Sequence, residues 1–554
     1  MATQKHPTAL PYLFFSEMWE RFGYYLMIGI FTLYLKDAKQ GFGFSEKESA
    51  DLYGTFIALV FFTPFLGGLI ADRYWGYRKS IIIGGLFMGV GYCLMGVHDK
   101  LVLYAAMTLV IIGNGFFKPN ISTLLGNVYN DDNFVARKDE GYNIFYMGIN
   151  IGAFICNFFG AILYNTLGWK YAFLAAGVGM FIGVLVFLVG TKHYKAADVK
   201  KGMTEGDMSF QRICLMILLP SVLFGLIGWF INGITDEHNP NGNLLGSDST
   251  DAFLFACVPV IYFYYQLYAK AQLVEKKSIA ALLAIFSVVI IFWAVFKQNG
   301  SALTTWADKY TDRQVTTLSE PLNAIKLSRD ETYLIGKDST TKTDAQFRPI
   351  LNVGKKVKEL NYPSYFKNVT AAELPKEGEK VTLWATNLSQ SINPGWVILL
   401  TPIIVGLFGF LKRRNREPST ASKITLGLFI SALSTLVMVA AAKVGHSGIE
   451  KVSVWWLIGA YGVVTIGELM LSPMGLSLVS KLSPLRMTSV MMGGWFLATS
   501  IGNKLSGVLA SLWDTYDDKS NFFFVNFALL LAATLMMFAM LKWLNKVLSS
   551  YGIQ

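Results

Sequence analysis

The sequence predicts an all-α integral membrane protein of about fourteen transmembrane helices, on three grounds. The 554 residues are 53% hydrophobic and only 15% charged, with a mean hydropathy of +0.43, which is too apolar for an ordinary soluble chain of this length. Apolar stretches long enough to cross a hydrocarbon core, about 20 residues each, recur along most of the chain. Finally, positive charge follows every second stretch.

Six windows centre near residues 24, 60, 88, 113, 154 and 180, a pair near 222 and 260, and six more near 289, 402, 433, 467, 500 and 534. Arg73, Arg78 and Lys79 follow the second window, Arg137 and Lys138 the fourth, and Lys192, Lys195, Lys200 and Lys201 the sixth. Lys276 and Lys277 follow the eighth, Lys412, Arg413, Arg414 and Arg416 the tenth, Lys481 and Arg486 the twelfth. The loop "TDEHNPNGNLLGSDSTD" between windows seven and eight has no Lys or Arg. The positive-inside rule then places both termini in the cytoplasm, with an even number of spans in the lipid bilayer. A net charge of +11 distributed in this way is membrane topology and argues against a nucleic-acid partner.

"MATQKHPTAL" lacks the features of a cleaved secretory signal, so the first span is expected to direct insertion. Cys93, Cys156, Cys214 and Cys257 fall in apolar windows and read as packing residues. No His, Cys or carboxylate set has metal-ligand or nucleophile spacing, which argues against an enzyme and a metal site. Residues 305–392 break the apolar pattern: they are polar and mixed in charge, with short alternating pieces such as "KVTLWATNL". They read as a small, β-rich extracytoplasmic insertion, a candidate surface for an unidentified partner.

Charges inside the windows point to function. "FFSEMWERFGYY" puts Glu17, Glu20 and Arg21 at i, i+3 and i+4, on one helix face that Tyr24 continues. A charge in a bilayer costs several kcal/mol unless it is paired or faces water, and here two carboxylates share one cation. Lys118, Lys297 and Glu468 are the other ionisable residues expected away from window ends. Three acids and three bases divided between the halves of the chain suit a central polar cavity. His6, His98, His193, His238 and His446 all lie at ends or in loops, so carboxylates are the expected proton carriers, with no cofactor beyond the proton as coupling ion.

"GGLIADRYWGYRKS" resembles the loop between helices two and three of the major facilitator superfamily, with Gly68, Asp72, Arg73, Gly76 and Arg78 in register, and "GFLKRRNREPS" is a degenerate counterpart. Gly68 would permit close helix approach and the acid–base pair would pin the turn. "EMWERFGYY" resembles the E-x-x-E-R signature of the proton-dependent oligopeptide transporters; "GNGFFKPNIS", "FYMGINIGAF", "QSINPGW" and "GELMLSPMGLSLVSKL" follow that family's patterns in order. The resemblance implies two six-helix bundles, residues 1–192 and 278–554, joined by a linker, residues 193–277, that carries two additional helices.

It also implies roles. Glu17, Glu20 and Arg21 match the proton-coupling signature. Lys118 matches the lysine that pairs with it and meets the substrate carboxylate. Tyr24 and Tyr25 match aromatics lining the peptide site, Asn150 and Asn393 match amides that bind the peptide, Glu468 matches the carboxylate receiving its amino terminus, and Trp495 an aromatic wall. Thr499, one turn from Trp495, can share that face or simply pack. A zwitterion independently demands a cation at one end of a cavity and an anion at the other.

Three positions depart from the family. Relatives commonly carry arginine at Ile28 and glutamate at Lys297, a charged extracellular-side gate, and tyrosine at Phe61. Losing one member of a buried pair leaves an unpaired charge, so Lys297 needs a new anion, and Glu468 is the expected partner. The function expected is proton-coupled import of di- and tripeptides across a bacterial inner membrane, with atypical coupling or specificity. The alternatives are a family member carrying a non-peptide solute and a non-transporting receptor or scaffold.

Overall fold

Backbone groups in a bilayer must be satisfied within their own segment, and long helices do this throughout the chain. The computed structural model describes residues 6–131, 133–134, 138–198, 211, 214–231, 247–315, 325–333, 339–341, 351–352, 355–360, 365–366, 369, 373–484 and 488–551. The first half contains α1 (Ala9–Lys36), α2 (Glu46–Ile70), α3 (Tyr77–Met95), α4 (Lys100–Val128), α5 (Lys138–Thr166) and α6 (Trp169–Tyr194). The intervening pair is α7 (Leu219–Phe230), entered through a π-helical turn at Cys214–Leu218, and α8 (Asp248–Lys270). Then come α9 (Leu273–Phe296), the short α10 (Ala302–Lys309), α11 (Ile392–Arg413), α12 (Thr420–Val444), α13 (Val454–Leu482), α14 (Thr488–Ser511) and α15 (Lys519–Ser550).

Eleven of the described helical spans are long and apolar enough to cross a membrane. The other three expected spans are α1, diluted by Glu17, Glu20 and Arg21, α14, diluted mainly by its Gly, Ser, Thr and Asn residues, and the shorter apolar run Cys214–Phe230. Within the first half α1 packs on α5 and α6, and α3 on α4 and α6; in the second, α12 packs on α13 and α15, and α9 on α14. The two halves meet chiefly through α2 on α14 and α5 on α11, while α7 and α8 form a pair at the side.

Local chemistry sets the helix ends and bends. Ser45 and Glu48 form a reciprocal capping box on α2, and Asp99 caps α4 by accepting from the Val102 N–H at 2.9 Å. Pro64 inside α2 has no N–H for the Val60 carbonyl, and Asn114 of α4 supplies the missing donor at 2.8 Å. The close approach expected at Gly68 falls one residue earlier: a Cβ on Gly67 would lie 2.0 Å from the Gly115 carbonyl oxygen, whereas Gly68 makes only ordinary contact with Pro119. The Asp72 and Arg73 side chains lie outside the described residues, as do Arg137, Lys200, Lys201, His238 and Arg486. Among the described groups the turn is held by Asp198, which accepts from the Tyr77 N–H at 2.8 Å after Gly76 adopts a positive φ of 80°.

The insertion is β-containing. Six short strands form three antiparallel pairs, β1 (Ser328–Thr332) with β6 (Lys380–Trp384), β2 (Ser339–Thr341) with β5 (Lys358–Leu360), and β3 (Leu351–Asn352) with β4 (Lys355–Lys356). In the first pair Ser328 opposes Trp384 and Thr332 opposes Lys380. Its polar start is not loop: α10 carries the helix on to Lys309, because Ala302, Thr305 and Trp306 bury one face.

Candidate functional site

The centre of α1 sets the geometry. Arg21 Nε lies 2.8 Å from Glu17 Oε1 and 2.9 Å from Glu20 Oε2, and all three residues are buried. One guanidinium therefore serves two carboxylates, as their spacing on one face predicts. Glu17 Oε2 and Glu20 Oε1 are buried without a hydrogen-bond partner. Tyr24, one turn on, places its ring 5.8 Å from the guanidinium carbon and meets Tyr25 edge-on.

Lys118 of α4 interacts electrostatically with Arg21, Glu20, Glu17 and Lys297. Its ammonium makes no ion pair within 4.0 Å among the described residues and instead lies 3.8 Å from the centroid of the Phe61 ring on α2. Lys297 caps the C-terminal end of α9 at the break before α10, inside the continuous helical span that runs from Glu275 to Lys309. Its ammonium lies 5.4 Å from the same Phe61 ring, 5.2 Å from Trp293 and 5.7 Å from Phe296. Phe61, which lacks the tyrosine hydroxyl, thus presents its π-system to two cations. Each such contact supplies about 0.5–2 kcal/mol, less than the several kcal/mol lost by taking an ammonium out of water.

On the other side Glu468 of α13 accepts from Asn393 Nδ2 of α11 at 3.0 Å, and the same amide reaches Thr465 at 2.9 Å. The predicted direct contact between Lys297 and Glu468 is absent: the charges interact across space, with no pair within 4.0 Å. The Asn393 amide engages the carboxylate and aromatic rings flank the lysine, so the two charges act on each other without contact. Tyr25 senses both Arg21 and Glu468, and so does Tyr146 of α5. Asn150 turns back to the Tyr146 carbonyl at 3.0 Å. Trp495 is buried edge-on against Phe286, and Thr499 donates to the Trp495 carbonyl at 3.0 Å, so helix packing holds the threonine. Ile28 is buried in the apolar core of the first half.

A second set of charges escaped the sequence reading. Two turns beyond Ile28, Lys36 Nζ lies 3.2 Å from Glu46 Oε2 of α2, and Lys309 Nζ of α10 lies 2.6 Å from Glu46 Oε1. Thr305 also donates to Glu46, at 3.0 Å. Lys504, mid-window in α14, was overlooked: its ammonium is buried and donates to Asp51 Oδ1 at 2.8 Å, Thr55 at 2.6 Å and Ser249 of α8 at 2.9 Å. The signal was there, since a lysine inside an apolar window requires a partner. Asn387 to the Asn157 carbonyl at 2.7 Å and Ser391 to the Phe154 carbonyl at 2.7 Å add further links between halves. All of these lie toward the end remote from both termini.

Two helical halves with opposed charges between them and a locked end define a membrane transporter of the two-bundle type. The sequence matches the POT family over residues 78–322 and 385–525, and the chain belongs to that family, a family of transporters and not of enzymes. It is 28% identical over 530 residues to the uncharacterised transporter YclF of Bacillus subtilis, covering 93% of this chain and 90% of that protein. It is 26% identical over 521 residues to dipeptide and tripeptide permease A of Escherichia coli, covering 93% and 86%. Its fold matches the crystal structure of a peptide transporter POT in complex with sulfate, with a TM-score of 0.73, 25% identity, and coverage of 99% and 97%.

Proposed function

We propose that this chain is a proton-coupled symporter that brings di- and tripeptides across a bacterial inner membrane by alternating access, with both termini in the cytoplasm. The observation that carries the reading is the arrangement of opposite charges: Glu17, Glu20 and Arg21 with Lys118 in one half, Glu468 held by Asn393 in the other. The peptide carboxylate goes to Lys118 and its ammonium to Glu468. Tyr24, Tyr25 and Trp495 form walls, and Asn150 and Asn393 offer amides to the peptide backbone. Walls and backbone contacts tolerate varied side chains, while the two charged ends fix length.

Coupling follows from the shared guanidinium. When the peptide carboxylate occupies Lys118 and the cluster opens, one carboxylate leaves Arg21 with no other cation to meet, and a buried carboxylate in that state takes up a proton. The neutral acid no longer holds the guanidinium, so protonation and helix movement become one event. Residues 1–192 and 278–554 rock against each other, with 193–277 as the linker, while the Glu46 and Asp51–Lys504 contacts hold the outer end closed.

Uptake of labelled Ala-Ala into proteoliposomes with an imposed pH gradient tests this. Wild-type protein should accumulate peptide only with the gradient. Glu20→Gln should slow gradient-driven uptake at least about tenfold, a barrier change of about 1.4 kcal/mol, and abolish accumulation, while still exchanging peptide down its own gradient. Gradient-independent uptake, or full accumulation by Glu20→Gln, would overturn the coupling.

A further inference from the structure

Lys118 and Lys297 come from opposite halves of the protein, yet both ammonium groups sit on the Phe61 ring, 3.8 Å and 5.4 Å from its centroid. Among the described residues neither has an ion pair within 4.0 Å. They are therefore no farther apart than the sum of those two distances, which is within the span of a small molecule carrying two anionic groups.

The charge balance points the same way. Glu17, Glu20 and Arg21 together carry one negative charge, Lys118 and Lys297 two positive, and Glu468 one negative. These six groups are together neutral when all are ionised and carry one positive charge once the carboxylate cluster has taken a proton. A zwitterionic peptide adds no net charge and leaves that excess in place. Its ammonium would also take over Glu468, the one acid of the second half whose charge acts on Lys297. Lys297 would then be left among aromatic rings with no counter-charge. A peptide with a second carboxylate supplies one and restores neutrality.

Resting on the transport reading above, we infer that Lys297 is a specificity-determining residue which receives a second carboxylate across Phe61 from Lys118, so that the favoured substrates are di- and tripeptides with an acidic side chain. The proton and the acidic peptide enter as a neutral pair. Phe61 sets the separation of the two ammonium groups and so the distance between the two carboxylates that fit.

Full-length protein in proteoliposomes, given Ala-Glu, Ala-Ala and Ala-Lys under one pH gradient, tests the inference. Wild type should show a KM for Ala-Glu about tenfold below that for Ala-Ala, with Ala-Lys poorest. Lys297→Gln should bring the Ala-Glu and Ala-Ala values together through KM rather than kcat, and Lys297→Arg should keep the preference. Equal KM values in wild type, or a preference that survives in Lys297→Gln, would overturn the inference alone. Uptake of none of the three peptides would overturn the transport reading beneath it.

Discussion

Arg21 is the residue on which the buried charges of the first half depend. Its Nε contacts both Glu17 and Glu20 within 2.9 Å, so Arg21→Met leaves two buried carboxylates with no cation in contact and only the more distant Lys118 charge. The expected loss is about 3–5 kcal/mol, measured as a lower unfolding temperature in detergent and loss of gradient-driven uptake. This cluster was legible because its members lie within one helical turn, where spacing dictates proximity. Lys297 and Glu468 were legible as interior charges but not as non-partners. They come from helices far apart in the chain, and the aromatic faces and amide that engage them instead have no periodic signature.

At the scale of an element, two contacts explain how helices keep their shape. Asn114 replaces the donor that Pro64 removes from α2, so Asn114→Ala should destabilise the protein by about 1 kcal/mol. The same change made in a Pro64→Ala background should cost less, a coupling that a double-mutant cycle of thermal unfolding measures. Pro64 itself marks a bend in any reading of the sequence, whereas the helix that supplies its missing donor is a matter of packing.

The insertion is tied down by Lys451, between α12 and α13. Its ammonium donates to the Lys309 carbonyl at 2.8 Å and lies 4.0 Å from the Tyr365 ring, beside Arg313, Asp308 and Asp312. Burial, reinforced by the Arg313 guanidinium and opposed by the two aspartates, pushes this ammonium down to about 7. With the insertion released, Lys451 regains the ordinary lysine value and so holds its proton more often between about pH 7 and roughly 10.4. Docking should therefore strengthen as pH rises through that window and stay level below it. Limited proteolysis of the insertion should be faster at pH 7 than at pH 9, and Lys451→Met should flatten the difference.

For the whole molecule, the contacts between halves matter most. Glu46 joins α1 and α2 to α10, and Lys504 joins α14 to α2 and α8. Glu46→Gln combined with Asp51→Asn should shift the population toward an opening at this end. A cysteine placed at Ala50, which is buried there at 5% exposure, should then react several-fold faster with a membrane-impermeant maleimide. Unchanged reactivity would mean that apolar packing alone closes this end. The charged contacts at this end lie two helical turns beyond Ile28.

Hydropathy and the spacing of charges were enough to establish a many-helix membrane protein, its insertion and the Glu17–Glu20–Arg21 face, because each depends on residues close together in the chain. The motif order was enough to indicate the family. Which cation meets which anion, the seating of two lysines on one phenylalanine, and the ties of Glu46, Asp51 and Lys504 came from the folded arrangement. Those contacts join segments separated by up to several hundred residues, and packing rather than local spacing decides which of them meet.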